Sequence, residues 1–152
     1  MARSIAQLTL DDVVSIARER TAIGIDAQTL EQVARGRAVV EHLAQSPTPA
    51  YGVSTGFGAL ATVSIPAPRR AALQASLIRS HAAGTGPLAP TEVVRAMMTL
   101  RLRTLASGLT GVRPVVVETL AAMVNAGITP TVRVYGSLGC SGDLAPLAQV
   151  AL

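Results

Sequence analysis

Three segments of this 152-residue chain hold residue types that could do chemistry. The first is Tyr51-Gly52-Val53-Ser54-Thr55-Gly56-Phe57-Gly58, a phenol at the head of a loop with three glycines. Glycine permits positive φ and lets the backbone approach a ligand closely. By residue type alone, a tight connection between helices with Tyr51 packed in the core is the simpler reading. A dinucleotide loop does not fit, because no strand precedes the segment and its glycine spacing differs from that pattern. The second segment is Ser80-His81-Ala82-Ala83-Gly84. An imidazole can donate or accept a hydrogen bond, which suits a substrate contact. It can equally satisfy the last carbonyls of a helix. The third is Gly136-Ser137-Leu138-Gly139-Cys140-Ser141-Gly142-Asp143-Leu144-Ala145-Pro146-Leu147. Ser141 in a Gly-rich loop that feeds a helix N-terminus could act as a nucleophile near an anion site. Such a serine needs a base, and none is specified nearby in sequence; the alternative is a turn followed by a helix capped by Asp143. His42, beside Glu41, reads as a surface residue. Two histidines and one cysteine this far apart give no metal-ligand spacing.

The elements that must position these segments read as helices. Thr9 with Asp11 and Asp12 predicts a capped start, and Leu10, Val13, Val14 and Ala17 predict one apolar stripe on a helix to about Arg20. Asp26 caps a second helix whose stripe of Leu30, Val33 and Val40 is interrupted by Arg37; it ends before Ser46-Pro47. Residues 47–58 are too rich in Pro and Gly for a regular element. A helix from Pro66 to about Ala83 is stopped by Gly84-Thr85-Gly86-Pro87. Pro90 opens another through Val93, Val94, Met97, Leu100 and Leu105, ended by Gly108. Pro114 to Ala126 is a further helix stopped by Gly127, because the β-branched run Val115-Val116-Val117 continues into no period-two alternation. Residues 136–142 form a second Gly-rich loop, and the last helix presents Leu144, Leu147, Val150 and Leu152 as apolar surface for other protein to cover. The expectation is a mainly α chain in one unit over residues 1–152.

Composition narrows the partners. Hydrophobic residues make up 49% and charged residues 14%, against about a quarter charged in ordinary domains, which favours large buried interfaces. The net charge of +4 comes from thirteen basic residues, all Arg, spread from Arg3 to Arg133. Nucleic-acid binding would need clustered charge and stacking side chains, yet aromatics are only 2%. One cysteine permits no internal disulfide and suits a reducing cytoplasm. The N-terminal Met1-Ala2-Arg3-Ser4 leads into a charged amphipathic segment rather than a signal sequence, and no apolar run reaches the roughly 20 residues of a membrane span.

Taken together and in this order, the Tyr51 loop, the Ser80-His81 pair and the Cys140-Ser141-Gly142-Asp143 loop resemble the histidine and phenylalanine ammonia-lyase family, across essentially the whole chain. The resemblance implies the N-terminal helical portion of that fold, with Gly-rich active-site loops. It also implies a cofactor, 4-methylidene-imidazol-5-one, made autocatalytically from Cys140, Ser141 and Gly142, with no metal. The Gly142 nitrogen attacks the Cys140 carbonyl carbon, Ser141 loses its hydroxyl, and two waters leave. Glycine suits a nitrogen that must approach closely, and serine supplies the leaving hydroxyl. Cysteine stands where alanine is commoner, and only its backbone joins the ring.

The implied reaction is loss of ammonia from an aromatic α-amino acid to give a trans-α,β-unsaturated acid. The resemblance assigns Tyr51 as the base for the β-proton, Gly58 as a position against the substrate, and Asp143 as support for the cofactor loop. A phenol serves as a base only where positive electrostatics favour the phenolate. Ser80-His81 matches the pair found in the histidine-specific members, so the expected substrate is L-histidine, the product trans-urocanate, and His81 the substrate reader. Tyrosine or phenylalanine elimination, or a 2,3-aminomutase outcome, is the alternative. Family members are much longer, which implies a tetramer-like oligomer or a complementing C-terminal polypeptide as partner. A non-catalytic interaction subunit is the alternative of another class. Ser54, where asparagine is commoner, and Gln149, where many relatives differ, depart from the pattern.

Overall fold

A computed structural model describes residues 2–136 and 144–152. In chain order its elements are β1 (Arg3–Ser4), α1 (Leu10–Glu19), β2 (Ile23–Gly24), α2 (Ala27–Gln45), α3 (Ala67–His81), β3 (Thr85–Leu88), α4 (Thr91–Ala106), α5 (Pro114–Asn125), β4 (Arg133–Tyr135) and α6 (Leu144–Ala151). Short 3-10 turns at Ile5–Gln7 and Gly58–Leu60 complete the set. These fall into two compact units, residues 1–39 with 90–129, and residues 40–89 with 130–152. Among the described residues no helix is long and apolar enough to cross a membrane.

Local chemistry accounts for the helix ends. Thr9 and Asp12 form a reciprocal capping box: the Asp12 amide donates to the Thr9 hydroxyl at 3.2 Å and the Thr9 amide to the Asp12 carboxylate at 3.0 Å. These bonds, the backbone one foremost, and the nearby Arg3 hold the Asp12 carboxyl below its ordinary range. Asp26 accepts the Thr29 amide at 2.7 Å at the start of α2, and its carboxyl is lowered by the same kind of bond. Pro66 and Pro90 stand at the N-caps of α3 and α4, and Pro114 is the first residue of α5. Helix α2 ends at Gln45, before Ser46-Pro47 as predicted. Helix α3 stops at His81, two residues short of the predicted end, with Ala82 donating to the Ile78 carbonyl.

The first unit has a core of Ile5, Ile16, Val33, Val94, Met98, Leu102, Val117 and Val124. Two predicted stripes are rotated from their expected faces. On α1 the buried residues are Ile16 and Ala17, while Leu10 and Val14 are exposed. On α4, Val94, Arg95, Met98, Thr99 and Leu102 face inward, and Val93 and Leu100 are exposed. On α4 the inner face holds Arg95. Its guanidinium donates to the Ile16 carbonyl at 2.9 Å and to the Val124 carbonyl at 3.2 Å, in the closing turns of α1 and α5. Carbonyls there carry the negative end of the helix dipole, so a buried cation satisfies both. Thr99 is likewise satisfied, its hydroxyl donating to the Arg95 carbonyl at 2.8 Å. A polar pair thus occupies the inner face that an apolar count assigns to neighbours. Burial, then the charge of Arg20, pushes the Arg95 guanidinium down.

The helical reading left out two small sheets. In the first unit β1 and β2 are parallel, with Arg3 opposite Ile23. The side-chain amide of Asn125 pins this pair: it accepts from the Ile23 amide at 2.8 Å and donates to the Ile23 carbonyl at 2.9 Å. In the second unit β3 and β4 are antiparallel, with Thr85 opposite Tyr135 and Leu88 opposite Arg133. Strand β3 is the Gly- and Pro-containing stretch read as a helix stop. Its partner lies some 45 residues on in the chain, so pairing is a tertiary event that local propensity does not encode.

Candidate active site

The loop that opens with Tyr51 is built from short-range hydrogen bonds. The Ala50 amide donates to the Ser54 hydroxyl at 2.9 Å, and the Ala50 carbonyl accepts from the Ser54 amide at 2.9 Å. Ser54 and Thr55 are buried beneath the loop, and the Thr55 hydroxyl donates to the Gly56 carbonyl at 3.1 Å. Further along, the Ile65 amide donates to the Ser54 carbonyl, tying the loop's far end back to its start. Arg70 of α3 donates to the carbonyls of Ile65 and Ala44, which anchors the segment between α2 and α3.

On this platform Tyr51 is 63% exposed, which overturns the reading of it as a core residue. Its ring meets Phe57 edge to face at a centroid distance of 5.8 Å, and its hydroxyl oxygen accepts a hydrogen bond from the Gly58 amide at 3.2 Å. Gly58 has φ of +54°, a left-handed conformation that favours glycine, and this conformation directs its N–H at the phenol. The two ends of the Tyr51–Gly58 segment are therefore in direct contact. Phe57 and Thr55 escaped notice. An apolar ring and a small hydroxyl within a glycine-rich loop carry no signal until the loop is folded.

His81 closes α3 and is half-buried. Its Nδ1 lies 2.9 Å from the Leu77 carbonyl and 3.0 Å from the Ser80 hydroxyl, which itself donates to Leu77 at 2.9 Å. With Nδ1 as the donor to Leu77, the other ring nitrogen of a neutral imidazole, Nε2, is an acceptor. The capping role weighed for this residue is real, and it uses only one side of the ring.

Just beyond His81, the ribbon of β3 and β4 lies against α6. The Arg133 guanidinium donates to the Gly86 carbonyl at 2.6 Å, and the Arg133 amide donates to the Gln149 side chain at 3.1 Å. Cys140, Ser141, Gly142 and Asp143 lie outside the described residues. Their flanks are described: a Cβ on Gly136 would stand 2.9 Å from the Ala145 Cβ and 3.1 Å from the Gly84 Cα, so the two sides of that segment are in close contact. On α6, Ala145 and Ala148 are buried, Leu147 and Val150 half-buried, and Leu144 exposed, as is Leu152 just after the helix.

A helical scaffold that presents a tyrosine loop and a helix-terminal histidine, and that carries a Cys-Ser-Gly triplet between β4 and α6, defines a class. Residues 8–152 match the aromatic amino acid lyase family, and the chain belongs to it. A histidine ammonia-lyase of Streptomyces griseus is 57% identical over 144 residues, which is 95% of this chain and 28% of that protein. The MIO-dependent tyrosine 2,3-aminomutase of Streptomyces globisporus is 42% identical over 144 residues, 95% of this chain and 27% of that protein. The crystal structure of histidine ammonia-lyase from Trypanosoma cruzi superposes with a TM-score of 0.87 at 31% identity, over 100% of this chain and 29% of that one. The fold is the N-terminal helical part of the ammonia-lyase fold. The chain spans less than a third of the length of these relatives.

Proposed function

We propose that this chain is the cofactor-forming part of a histidine ammonia-lyase, which removes ammonia from L-histidine without oxidation to give trans-urocanate. The observation that carries the substrate assignment is the anchored ring of His81: Nδ1 is held by Leu77 at 2.9 Å, so Nε2 is the atom left to meet a substrate imidazole. A site built to hydrogen-bond a polar ring discriminates strongly against an apolar one. The 57% identity to a histidine ammonia-lyase supports the same reading.

Tyr51 takes the β-proton of the substrate. The Gly58 N–H donates to the phenol oxygen at 3.2 Å and fixes that oxygen in place for the transfer. Gly58 lies against the substrate, and its lack of a side chain leaves that approach open: nothing stands within 4 Å of where a Cβ would be. Cys140, Ser141 and Gly142 condense with loss of two waters, and Asp143 supports their loop. Gly136 and Ala145, which flank the triplet on either side in the sequence, lie against each other. The resulting methylidene-imidazolone supplies an electrophile that makes the substrate's amino group a better leaving group. Residues 1–152 act as one cofactor-forming unit, completed by a tetramer-like oligomer or a complementing C-terminal polypeptide.

A second reading, a 2,3-aminomutase acting on tyrosine, is favoured by the 42% identity to such an enzyme. Intact-mass spectrometry and a product assay separate the possibilities. Loss of two waters mapped to residues 140–142, with urocanate formed from histidine, supports the proposal. An unmodified triplet in a protein that still releases ammonia overturns the cofactor, a β-amino acid product supports the aminomutase, and an unmodified, inactive chain supports an interaction subunit.

A further inference from the structure

Gln149 sits where three segments converge. Its side-chain oxygen accepts the Arg133 amide at 3.1 Å, which ties α6 to β4. Gly84, three residues after His81, packs so tightly on it that a Cβ there would lie 2.6 Å from Gln149 Oε1 and 2.8 Å from Nε2. Gly84 also meets Gly136, whose own Cβ would lie 3.1 Å from the Gly84 Cα. The strand that follows Gly84 is held to β4 by Arg133 through the Gly86 carbonyl. One side chain on α6 therefore touches both the chain leaving His81 and the strand that leads to Gly136.

We propose that Gln149 is a positioning residue for substrate selection: with Gly84 it forms a clamp that sets where His81 stands relative to β4 and α6, the elements that bracket the Cys-Ser-Gly triplet. The proposal rests on the histidine ammonia-lyase reading above. Its physical core is that the clamp has one acceptor and no slack. Without the acceptor, the Arg133 N–H loses its partner and the ribbon can shift by the few tenths of an ångström that separate a good hydrogen bond from a poor one at His81 Nε2.

The test uses the active assembly with Gln149→Leu, Gln149→Glu, Gly84→Ala and the Gly84→Ala/Gln149→Leu pair. Gln149→Leu keeps most of the volume and lacks the acceptor. It should retain helical circular dichroism and the two-water loss, yet raise KM for histidine roughly tenfold and reduce the preference for histidine over tyrosine. Gln149→Glu keeps an acceptor and should recover most of that loss. Gly84→Ala acts by pushing the Gln149 amide aside, so its effect and that of Gln149→Leu should be non-additive in both KM and urea midpoint. Additive effects, an unchanged KM and preference in Gln149→Leu, or a Glu variant no better than Leu would each overturn the clamp. If the unsubstituted protein forms no ring or releases no ammonia, the functional reading fails instead, and the urea-midpoint cycle still decides whether Gln149 and Gly84 are coupled.

Discussion

The hydroxyl of Tyr51 accepts a hydrogen bond from the amide of Gly58 at 3.2 Å, across a loop that also presses Phe57 edge-on against the tyrosine ring. A phenol held at both its ring and its oxygen, on the exposed side of a hydrogen-bonded loop, is pre-aimed rather than free to sample rotamers. Tyr51→Phe keeps the Phe57 contact and removes only the oxygen. Turnover should fall by roughly a hundredfold or more, while thermal stability changes by less than about 0.5 kcal/mol because the side chain is exposed. Steady-state kinetics beside a denaturation curve check both halves, and near-normal turnover would remove Tyr51 from the proton-transfer role.

Ser141→Ala deletes the hydroxyl whose loss creates the methylidene. The two-water mass deficit should disappear together with ammonia release, with helical content unchanged. An active Ser141→Ala protein would end the cofactor assignment.

At His81, substitution by leucine removes two functions at once. Loss of the Nδ1 bond to Leu77 should lower stability by about 1 kcal/mol. Loss of Nε2 should shift relative kcat/KM from histidine toward phenylalanine or tyrosine by roughly tenfold to a hundredfold. Comparing the three amino acids as substrates measures the shift, and unchanged selectivity leaves His81 with the capping role alone.

Arg95 is the interior residue whose removal should be felt most in the first unit. Arg95→Ala leaves a cavity and takes the guanidinium donors from the carbonyls of Ile16 and Val124, the second of which keeps the Gly127 amide, costing about 3 kcal/mol, whereas Arg95→Met fills the space and should cost less. Urea unfolding midpoints would separate the two. Equal midpoints for both variants would mean that packing volume contributes nothing there.

Acid stability should reflect two helix caps. Asp12 and Asp26 both have carboxyls held below the ordinary value of 3.8 by hydrogen bonds from Thr9 and Thr29. A carboxyl lowered in the folded state adds stability that is fully present above its unfolded value and is lost as pH falls through the folded one. Denaturation midpoints measured on either side of pH 3.8 should therefore decline on the acid side, and Asp26→Asn, which keeps a capping oxygen but does not titrate, should flatten part of that decline. An acid limb identical in wild type and variant would exclude Asp26 as a contributor.

Features governed by near neighbours in the chain were legible from residue order: the Thr9 and Asp26 caps, the prolines at the starts of α3, α4 and α5, and the end of α2 before Ser46-Pro47. Each is a matter of φ restriction or of a side chain reaching an amide within one turn, and that chemistry is complete within four residues. Tyr51 and His81 stood out by residue type, but the roles given to them and to Gly58 came from the resemblance of their motifs to a known family. Their geometry was legible from neither. The burial of Arg95 on the inner face of α4 depends on carbonyls at Ile16 and Val124, which lie 79 and 29 residues from Arg95 in the chain. The pairing of Thr85 with Tyr135 and the packing of Gly84 on Gln149 are of the same long-range kind. An amino-acid pattern records what each residue prefers; which distant partner satisfies a buried charge or an unpaired strand edge is settled only when the chain closes on itself.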